Sequence, residues 1–427
     1  MLWSAEGDGT RPEISRHALT KLLLSRLPGE CVRWGWKLVS AEADEDGKGK
    51  GYNLTFSTPP SQSQGQPQEQ ESEREQTKEA TTATTAIQTE TIRIKADLLI
   101  GADGAWSRTR PLLTPTTPQY SGEQMIIATI PDLNTRYPAL EAFVGKGSLI
   151  IAGDGNAAIG QRAAGGAVRF YFVISSQDDE DLAKTIGLDY LTRPSEVKEL
   201  LLERGRDNPE NISATNNEDE NESLGGQDKK KKGKITTHWR NFNTWGSLPK
   251  SLISTAIDEH FLHPTADKLA KPIDMKPMYM LPVGKLAWPH RAGATLVGDA
   301  AHLMTPFAGE GVNLAMRDAL DLASAIGTAW DVTYNHENHD DDDDNSNDSG
   351  HQHQHQQQQR QQEEQRSESS QEPERDIFLG TLDPLLQDFE KEMINRGEAA
   401  AEETWTNLQL FFGEDAARKV ASIFQQL

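Results

Sequence analysis

The chain has almost no cysteine, since Cys31 is the only one among its 427 residues. A lone cysteine cannot form an internal disulfide bond, which is typical of proteins in a reducing compartment. Long apolar runs are also lacking: no stretch reaches about 18 apolar residues, the length that a membrane-spanning helix needs. The N-terminal residues do not combine a basic region with an apolar core, the pattern of a secretory signal. We therefore predict a cytoplasmic protein with no membrane span.

Positive charge is scarce as well. The sequence has 43 lysine and arginine residues against 66 aspartate and glutamate residues, a formal net charge of -23. Such a surface repels phosphate backbones, which argues against a nucleic-acid partner and favours a small-molecule substrate. Apolar residues make up only 35% of the chain and the mean hydropathy is -0.66, so part of the length is not core.

Three segments contain so few apolar residues that burial cannot offset the entropy of ordering them. We predict disordered inserts at residues 58–88, 206–234 and 333–375. The run from Lys229 to Lys232 could act as a nuclear-import signal, and the tracts at residues 351–355 and 340–344 could hold a metal. Solvated loops are the favoured explanation of each tract, so no metal site is predicted.

The remaining pieces alternate between helical and strand-like spacing. Helical spacing occurs at residues 14–27, 314–330 and 384–412. Ser15 is a potential cap of the first helix. Residues 36–58 predict a hairpin around a glycine-rich turn, and short alternating segments between residues 125 and 174 predict an antiparallel sheet. These patterns together predict an α/β fold split by a β-rich insertion.

One segment, TLVGDAAHLMTPFAGEGVNLAMRDALDLASAI, passes from a strand through a loop into a helix. Asp299 follows the strand directly, at the sheet edge where open α/β sheets bind ligands, and a carboxylate there can accept hydrogen bonds from sugar hydroxyls. Pro306 stiffens the loop, while Gly309 and Gly311 leave room for a planar ligand near the backbone. On the glycine loop alone, a strand–turn–helix junction without a ligand explains the pattern equally well.

Three motifs together resemble a known family. Residues Gly298 to Ala319, with the pattern G-D-A-A-H-x-x-x-P-x-x-G-x-G-x-N-x-x-x-x-D-A, resemble the second FAD-binding motif of the class A flavoprotein monooxygenases, which have the para-hydroxybenzoate hydroxylase-like fold. GADGAWSRTR (Gly101 to Arg110) is similar to the family's G-A-D-G-x-x-S-x-x-R element, and ISRHALTKLLL is similar to its R-x-x-L-x-x-x-L helix. Their order and intervals are most similar to those of the tetracycline-inactivating branch and its fungal relatives.

The resemblance implies a set of cofactor-binding residues. They are Arg16, Asp103, Arg110, Asp299, Pro306, Gly309, Gly311 and Asn313. Asp299 would bind the hydroxyls of the FAD ribityl chain, and the backbone of Gly311 and Asn313 would contact the flavin ring. Arg16 would reach the ribityl and phosphate region of the cofactor.

Asp103 and Arg110 would serve the pyrophosphate side of FAD and the nicotinamide cofactor that reduces it. Each of these assignments has a simpler alternative. Arg16 could be an exposed helix charge, Asp103 an Asx-turn residue, and Arg110 a surface cation before Pro111. For His302, inside the second motif, we predict a structural hydrogen bond and no acid–base role.

The implied architecture is a split FAD-binding domain lacking its first βαβ unit, an antiparallel β substrate domain and a C-terminal helix. The predicted segments are 1–123 and 277–332 for the FAD-binding domain, 124–276 for the substrate domain, and 376–427 for the C-terminal helical part. The G-x-G-x-x-G turn that opens this family is missing, and GDGNAAIG at Gly153 has the wrong glycine spacing. An N-terminally incomplete sequence explains this better than a homologue that has lost flavin, because the other motifs are intact.

The resemblance implies an FAD-dependent monooxygenase that consumes NAD(P)H and molecular oxygen and hydroxylates a phenolic or polyketide-like small molecule. A related flavin oxidoreductase and a flavin-less binding protein are the alternatives. No catalytic side chain is assigned, because the cofactor carries the difficult step. Arg169 and Tyr171, at alternate positions of VRFYFVI, are the predicted substrate-binding residues, although ordinary strand positions explain them equally well.

Overall fold

The structure is a computed structural model. It describes residues 14–29, 31–44, 51–58, 90–177, 180–203, 239–262, 273–334, 356–413 and 415–424. The strands are β1 (Lys37–Ala43), β2 (Tyr52–Thr58), β3 (Glu90–Ala96), β4 (Leu99–Gly101), β5 (Gln119–Ile130), β6 (Leu149–Gly153), β7 (Asn156–Arg162), β8 (Val168–Ser175), β9 (Met275–Met280) and β10 (Ala294–Leu296). The α-helices are α1 (Arg16–Leu24), α2 (Leu133–Arg136), α3 (Pro138–Val144), α4 (Leu182–Thr185), α5 (Pro194–Lys198), α6 (Ser247–Leu262), α7 (Asp299–His302), α8 (Gly311–Tyr334), α9 (Gln356–Phe412) and α10 (Ala416–Phe424).

The largest sheet is antiparallel, with the strand order β6-β7-β8-β5-β9. It confirms the sheet predicted between residues 125 and 174. Side chains alternate between its two faces. Phe170 and Phe172 of β8 are buried on one face, against Leu252 and Ile253 of α6. This helix-covered face and its helices form the first hydrophobic core.

The opposite face of the same sheet meets the C-terminal part of the chain. Val173 of β8 and Met278 of β9 pack there with Phe307, which follows α7, and with Leu408 and Phe411 of α9. The ring centroids of Phe307 and Phe411 lie 5.7 Å apart. This second face therefore connects the sheet with the loop that precedes α8.

A smaller unit holds the cofactor motifs. The short strands β4 and β10 pair in parallel, and β1, β2 and β3 form an antiparallel sheet beside them. The predicted hairpin is confirmed by the pairing of β1 with β2. Leu99 and Leu296 share a core with Phe389 and Met393 of α9, so the C-terminal helix packs against this unit as well as against the large sheet.

The helix α1 begins as predicted, because the hydroxyl of Ser15 accepts a hydrogen bond from the backbone N–H of Ala18 at 3.2 Å. Its apolar side chains are not covered within the described part of the chain: Leu22 and Leu23 are 50% and 56% exposed. Within the resolved ranges, no helix is long and apolar enough to cross a membrane, and no cluster of acidic, histidine or cysteine side chains could hold a metal ion.

Most of the predicted inserts lies outside the described residues. This holds for residues 59–88 of the first insert, for all of the second at 206–234, and for residues 335–355 of the third. The rest of the third insert differs from the expected disorder, since α9 begins at Gln356 and passes Pro373 and Pro384. Glutamine and glutamate favour helices even where no apolar side is present. Low apolar content alone thus does not distinguish a helix from a disordered segment. The domain bounds predicted from the sequence stay a prediction.

Candidate active site

The motif that contains Asp103 and the motif that contains Asp299 meet at one edge of the parallel strand pair. Leu296 of β10 lies opposite Gly101 of β4, and the backbone N–H of Val297 donates to the carbonyl of Gly101 at 3.0 Å. Because parallel strands point the same way, the loops that follow them emerge side by side. The loop carrying Asp103 and the turn carrying Asp299 therefore share the carboxyl edge, as the sequence predicted for Asp299.

Arg110 joins these two loops from inside the protein. It is only 3% exposed, and its Nε donates to the carbonyl of Ala300 at 2.7 Å. Its terminal nitrogen donates to the carbonyls of Ala105 at 2.8 Å and Asp299 at 3.0 Å. Burial lowers the pKa of this guanidinium, and the charges of Asp103 and Asp299 oppose that effect. Arg110 is therefore a buried residue that links the two motifs by hydrogen bonds, and the surface-cation alternative is wrong. Its contact with nicotinamide stays a prediction.

Asp103 closes its own loop. One carboxylate oxygen accepts hydrogen bonds from the backbone N–H groups of Arg108 at 2.7 Å and Thr109 at 3.2 Å. This geometry is the turn-forming alternative considered for Asp103. The side chain remains exposed, so its role beside the pyrophosphate stays a prediction.

Asp299 is the first residue of α7 and its side chain is exposed at the sheet edge. The preceding Gly298 has a φ of 60°, which favours glycine, and its N–H donates to a carboxylate oxygen of Asp318 at 3.1 Å. The same oxygen lies 2.6 Å from Nε2 of His302. The structural hydrogen bond predicted for His302 is therefore confirmed.

Asp318 was not assigned from the sequence, although it lies in the quoted motif. It is 1% exposed and stands on α8, so it ties the turn before Asp299 to that helix. The guanidinium of Arg396, on α9, lies 3.5 Å from the other carboxylate oxygen of Asp318. It also lies 2.9 Å from a carboxylate oxygen of Asp321. A buried carboxylate needs such partners, which a sequence pattern does not reveal.

The loop of residues 305–311, which we call the flavin loop, leads from α7 to the start of α8. Gly309 has a φ of 73°, and a Cβ there would meet no atom within 4 Å, so the backbone faces open space. Gly311 is the first residue of α8, and Pro306 and Asn313 are exposed. The first N–H groups of a helix have no partner inside it and form its positive end. This donor set fits an electron-rich planar ring and, with Asp299, its hydroxylated side chain.

The two predicted substrate residues lie on one face of the large sheet. Arg169 is exposed and Tyr171 half-buried, and both alternate with the buried Phe170. They therefore share the face of Val173, which packs against Phe307 of the flavin loop. That face suits a substrate near the flavin loop, while substrate contact itself stays a prediction.

Arg16 is not tied to these groups by any described contact. It is the exposed first residue of α1, and within the resolved part its side chain has no hydrogen bond or ion pair. Its contact with the cofactor stays a prediction.

Comparisons with known proteins indicate the family of the chain. Residues 268–346 match the family described as FAD binding domain, a range that contains Asp299 and the flavin loop. Monooxygenase asqM of Emericella nidulans is 30% identical over 425 residues, which cover 99% of this chain and 78% of that protein. Monooxygenase penA of Penicillium thymicola is 32% identical over 323 residues, or 74% of this chain and 62% of that protein.

The fold also matches a solved structure. The crystal structure of Klebsiella pneumoniae HpxO, complexed with FAD and uric acid, superposes with a TM-score of 0.51 at 15% identity, covering 97% of this chain and 67% of that one. This similarity supports the predicted para-hydroxybenzoate hydroxylase-like fold. Together with the relationship to asqM and the matched FAD-binding range, it identifies the chain as a member of the FAD-dependent monooxygenase family.

Proposed function

We propose that this protein is an FAD-dependent monooxygenase that consumes NAD(P)H and molecular oxygen and hydroxylates a phenolic or polyketide-like small molecule. The observation that carries the proposal is the position of Asp299. Asp299 follows the parallel strands at their carboxyl edge, in a turn that the N–H of Gly298 ties to α8 through Asp318, and it lies within the matched FAD-binding range. We place the enzyme in the cytoplasm, without a nucleic-acid partner, because of its single cysteine and its net charge of -23.

The residues present fit FAD and divide its binding between them. Asp299 would accept hydrogen bonds from the ribityl hydroxyls, and the helix start at Gly311 and Asn313 would face the ring. Arg110 would hold the two loops at the spacing that the cofactor needs. When bound, FAD supplies the redox chemistry, taking electrons from NAD(P)H and activating oxygen toward the substrate.

The sheet face that carries Arg169 and Tyr171 would form the substrate wall. Tyr171 pairs across the sheet with Ile127, which is 42% exposed, so an apolar surface adjoins an aromatic ring and a cation. Aromatic and apolar side chains bind the planar body of a phenolic substrate, and Arg169 would bind an acidic oxygen on it. Phe307 of the flavin loop packs in one apolar cluster with Val173 of this face, and it would help to exclude water from that side of the site.

Replacing Asp299 with alanine tests the assignment. The change removes charge-assisted hydrogen bonds to the ribityl chain, each contributing about 1.5–3 kcal/mol, so the FAD dissociation constant should rise by about 10-fold or more. The measurement is the amount of flavin retained per protein after gel filtration, followed by titration with FAD. Asp388→Ala, an exposed position on α9, is the matched control and should retain as much flavin as the wild type. Equal retention by the Asp299 variant would refute the assignment.

The wild-type protein itself separates the proposal from a flavin-less binding protein. A monooxygenase should bind FAD at close to one flavin per chain and oxidise NAD(P)H faster when a suitable phenol is added. A colourless protein that cannot be loaded with FAD would contradict the proposed function.

A further inference from the structure

The C-terminal helix α9 makes side-chain hydrogen bonds to the backbone of the flavin loop. Thr404 is fully buried, and its hydroxyl donates to the carbonyl of Thr305 at 2.6 Å. The same hydroxyl accepts a hydrogen bond from the N–H of Ala308 at 3.2 Å. Asn407, one turn further along α9, donates from its amide to the carbonyl of Phe307 at 3.2 Å. Two side chains of one helix thus bind three backbone groups of the loop within the four residues around Pro306.

The hydroxyl of Thr404 is well suited to this task. A hydroxyl has one donor and two acceptor positions, and the side chain of Thr305, 3.3 Å away, can take the remaining acceptor. Backbone groups removed from water need partners, and the carbonyl of the buried Thr305 and the N–H of the half-buried Ala308 both bond to this one oxygen atom. An apolar side chain of the same size would fill the space and leave both groups unpaired.

These bonds also set where the loop lies relative to the sheet. Phe307 packs against Phe411 and Phe412 of α9, with ring centroids 5.7 and 5.4 Å away. The same cluster includes Val173, on the face of Tyr171. Anchoring the loop to α9 therefore fixes its distance from the proposed substrate wall.

We propose that Thr404 and Asn407 are positioning residues that hold the flavin loop in the conformation that receives the FAD ring. The inference rests on the proposed function, since it gives the loop a flavin to receive. Neither residue would touch the substrate or react. Their effect passes through the loop backbone, which is 99 positions away along the chain.

The test compares four variants of the full chain. Thr404→Val removes the hydroxyl, Thr404→Ser keeps it, and Asn407→Leu removes the second contact. Thr406→Val is the matched control, because the hydroxyl of this exposed threonine bonds only within α9, to the carbonyl of Glu402 at 2.8 Å. Hydrogen exchange of the Ala308 amide is measured in FAD-free protein, and FAD affinity is measured by flavin fluorescence.

Thr404→Val and Asn407→Leu should speed exchange in the flavin loop and raise the FAD dissociation constant about 10-fold. Thr404→Ser should restore both values, and Thr406→Val should change neither. Wild-type affinity for FAD in Thr404→Val overturns the inference, whatever its exchange rate, while leaving the proposed function intact. Failure of the wild type to bind FAD overturns the proposed function, and the inference with it.

Discussion

Replacing Arg110 with methionine will lower the free energy of unfolding by about 3 kcal/mol. The guanidinium donates to the carbonyls of Ala105, Asp299 and Ala300, and methionine leaves these three acceptors without their donor. Each buried acceptor that loses its partner costs about 1 kcal/mol or more, and methionine fills a similar volume without replacing any donor. Urea unfolding followed by circular dichroism measures the loss.

Two further variants separate the geometry of Arg110 from its charge. Arg108→Met removes an exposed arginine from the same loop and should change the free energy of unfolding by less than about 0.5 kcal/mol. Arg110→Lys keeps the charge but cannot span three carbonyls with one ammonium group, so most of the loss should remain. If Arg110→Lys had the wild-type free energy of unfolding, the positive charge, and not the planar guanidinium group, would hold the two loops together.

Glu123→Gln will make the protein more stable than the wild type above pH 7. Glu123 lies on β5 and is 0% exposed, and one carboxylate oxygen accepts a hydrogen bond from the amide of Gln177 at 3.2 Å. The other oxygen has no partner among the described residues. Burial raises the pKa of this carboxyl from 4.5 to about 7, against the smaller opposing effects of Ser121 and Gln177.

The sign of the pH effect follows from proton binding. Between pH 4.5 and about 7 the folded protein keeps the Glu123 proton while the unfolded chain loses it, so stability falls as the pH rises through this window. A shift of this size corresponds to about 3 kcal/mol, since one pKa unit is worth about 1.4 kcal/mol. Glutamine resembles the protonated acid, so Glu123→Gln should match the wild type near pH 4.5 and exceed it by about 3 kcal/mol at pH 8.

Urea unfolding of both proteins between pH 4.5 and 8 measures this difference. Glu402→Gln, at an exposed position of α9, is the control and should show no pH-dependent gain. A difference between Glu123→Gln and the wild type that stays constant with pH would show that the carboxyl does not titrate in this window.

Local patterns predicted much of the fold and part of the site. Hydrophobic alternation located the large sheet, and the strand before Gly298 placed Asp299 at the carboxyl edge. The prediction for His302 succeeded because a histidine inside a tightly packed motif is more often structural. In each case the information lies within a few neighbouring residues.

The contacts that hold the site together were not predictable in this way. The carbonyl partners of Arg110 lie up to 190 positions away, and Thr404 is hydrogen-bonded to the flavin loop from 99 positions away. Every residue has a backbone carbonyl, so the sequence does not show which carbonyls bind an arginine. A buried arginine therefore cannot be distinguished from a surface arginine by its sequence context. The start of α9 at Gln356 was missed because the sequence there has no apolar period to detect.

The placement of α9 has a consequence for synthesis of the protein. The helix-covered core of the large sheet draws its buried residues from Ile126 to Met275, whereas the core around Leu99 and Leu296 also needs Leu386 and Phe389. A ribosome delivers the N-terminal residues first, and domains generally fold as units when their residues are available. The middle of the chain can thus fold during translation, whereas the part that carries the cofactor motifs must wait until α9 has left the ribosome.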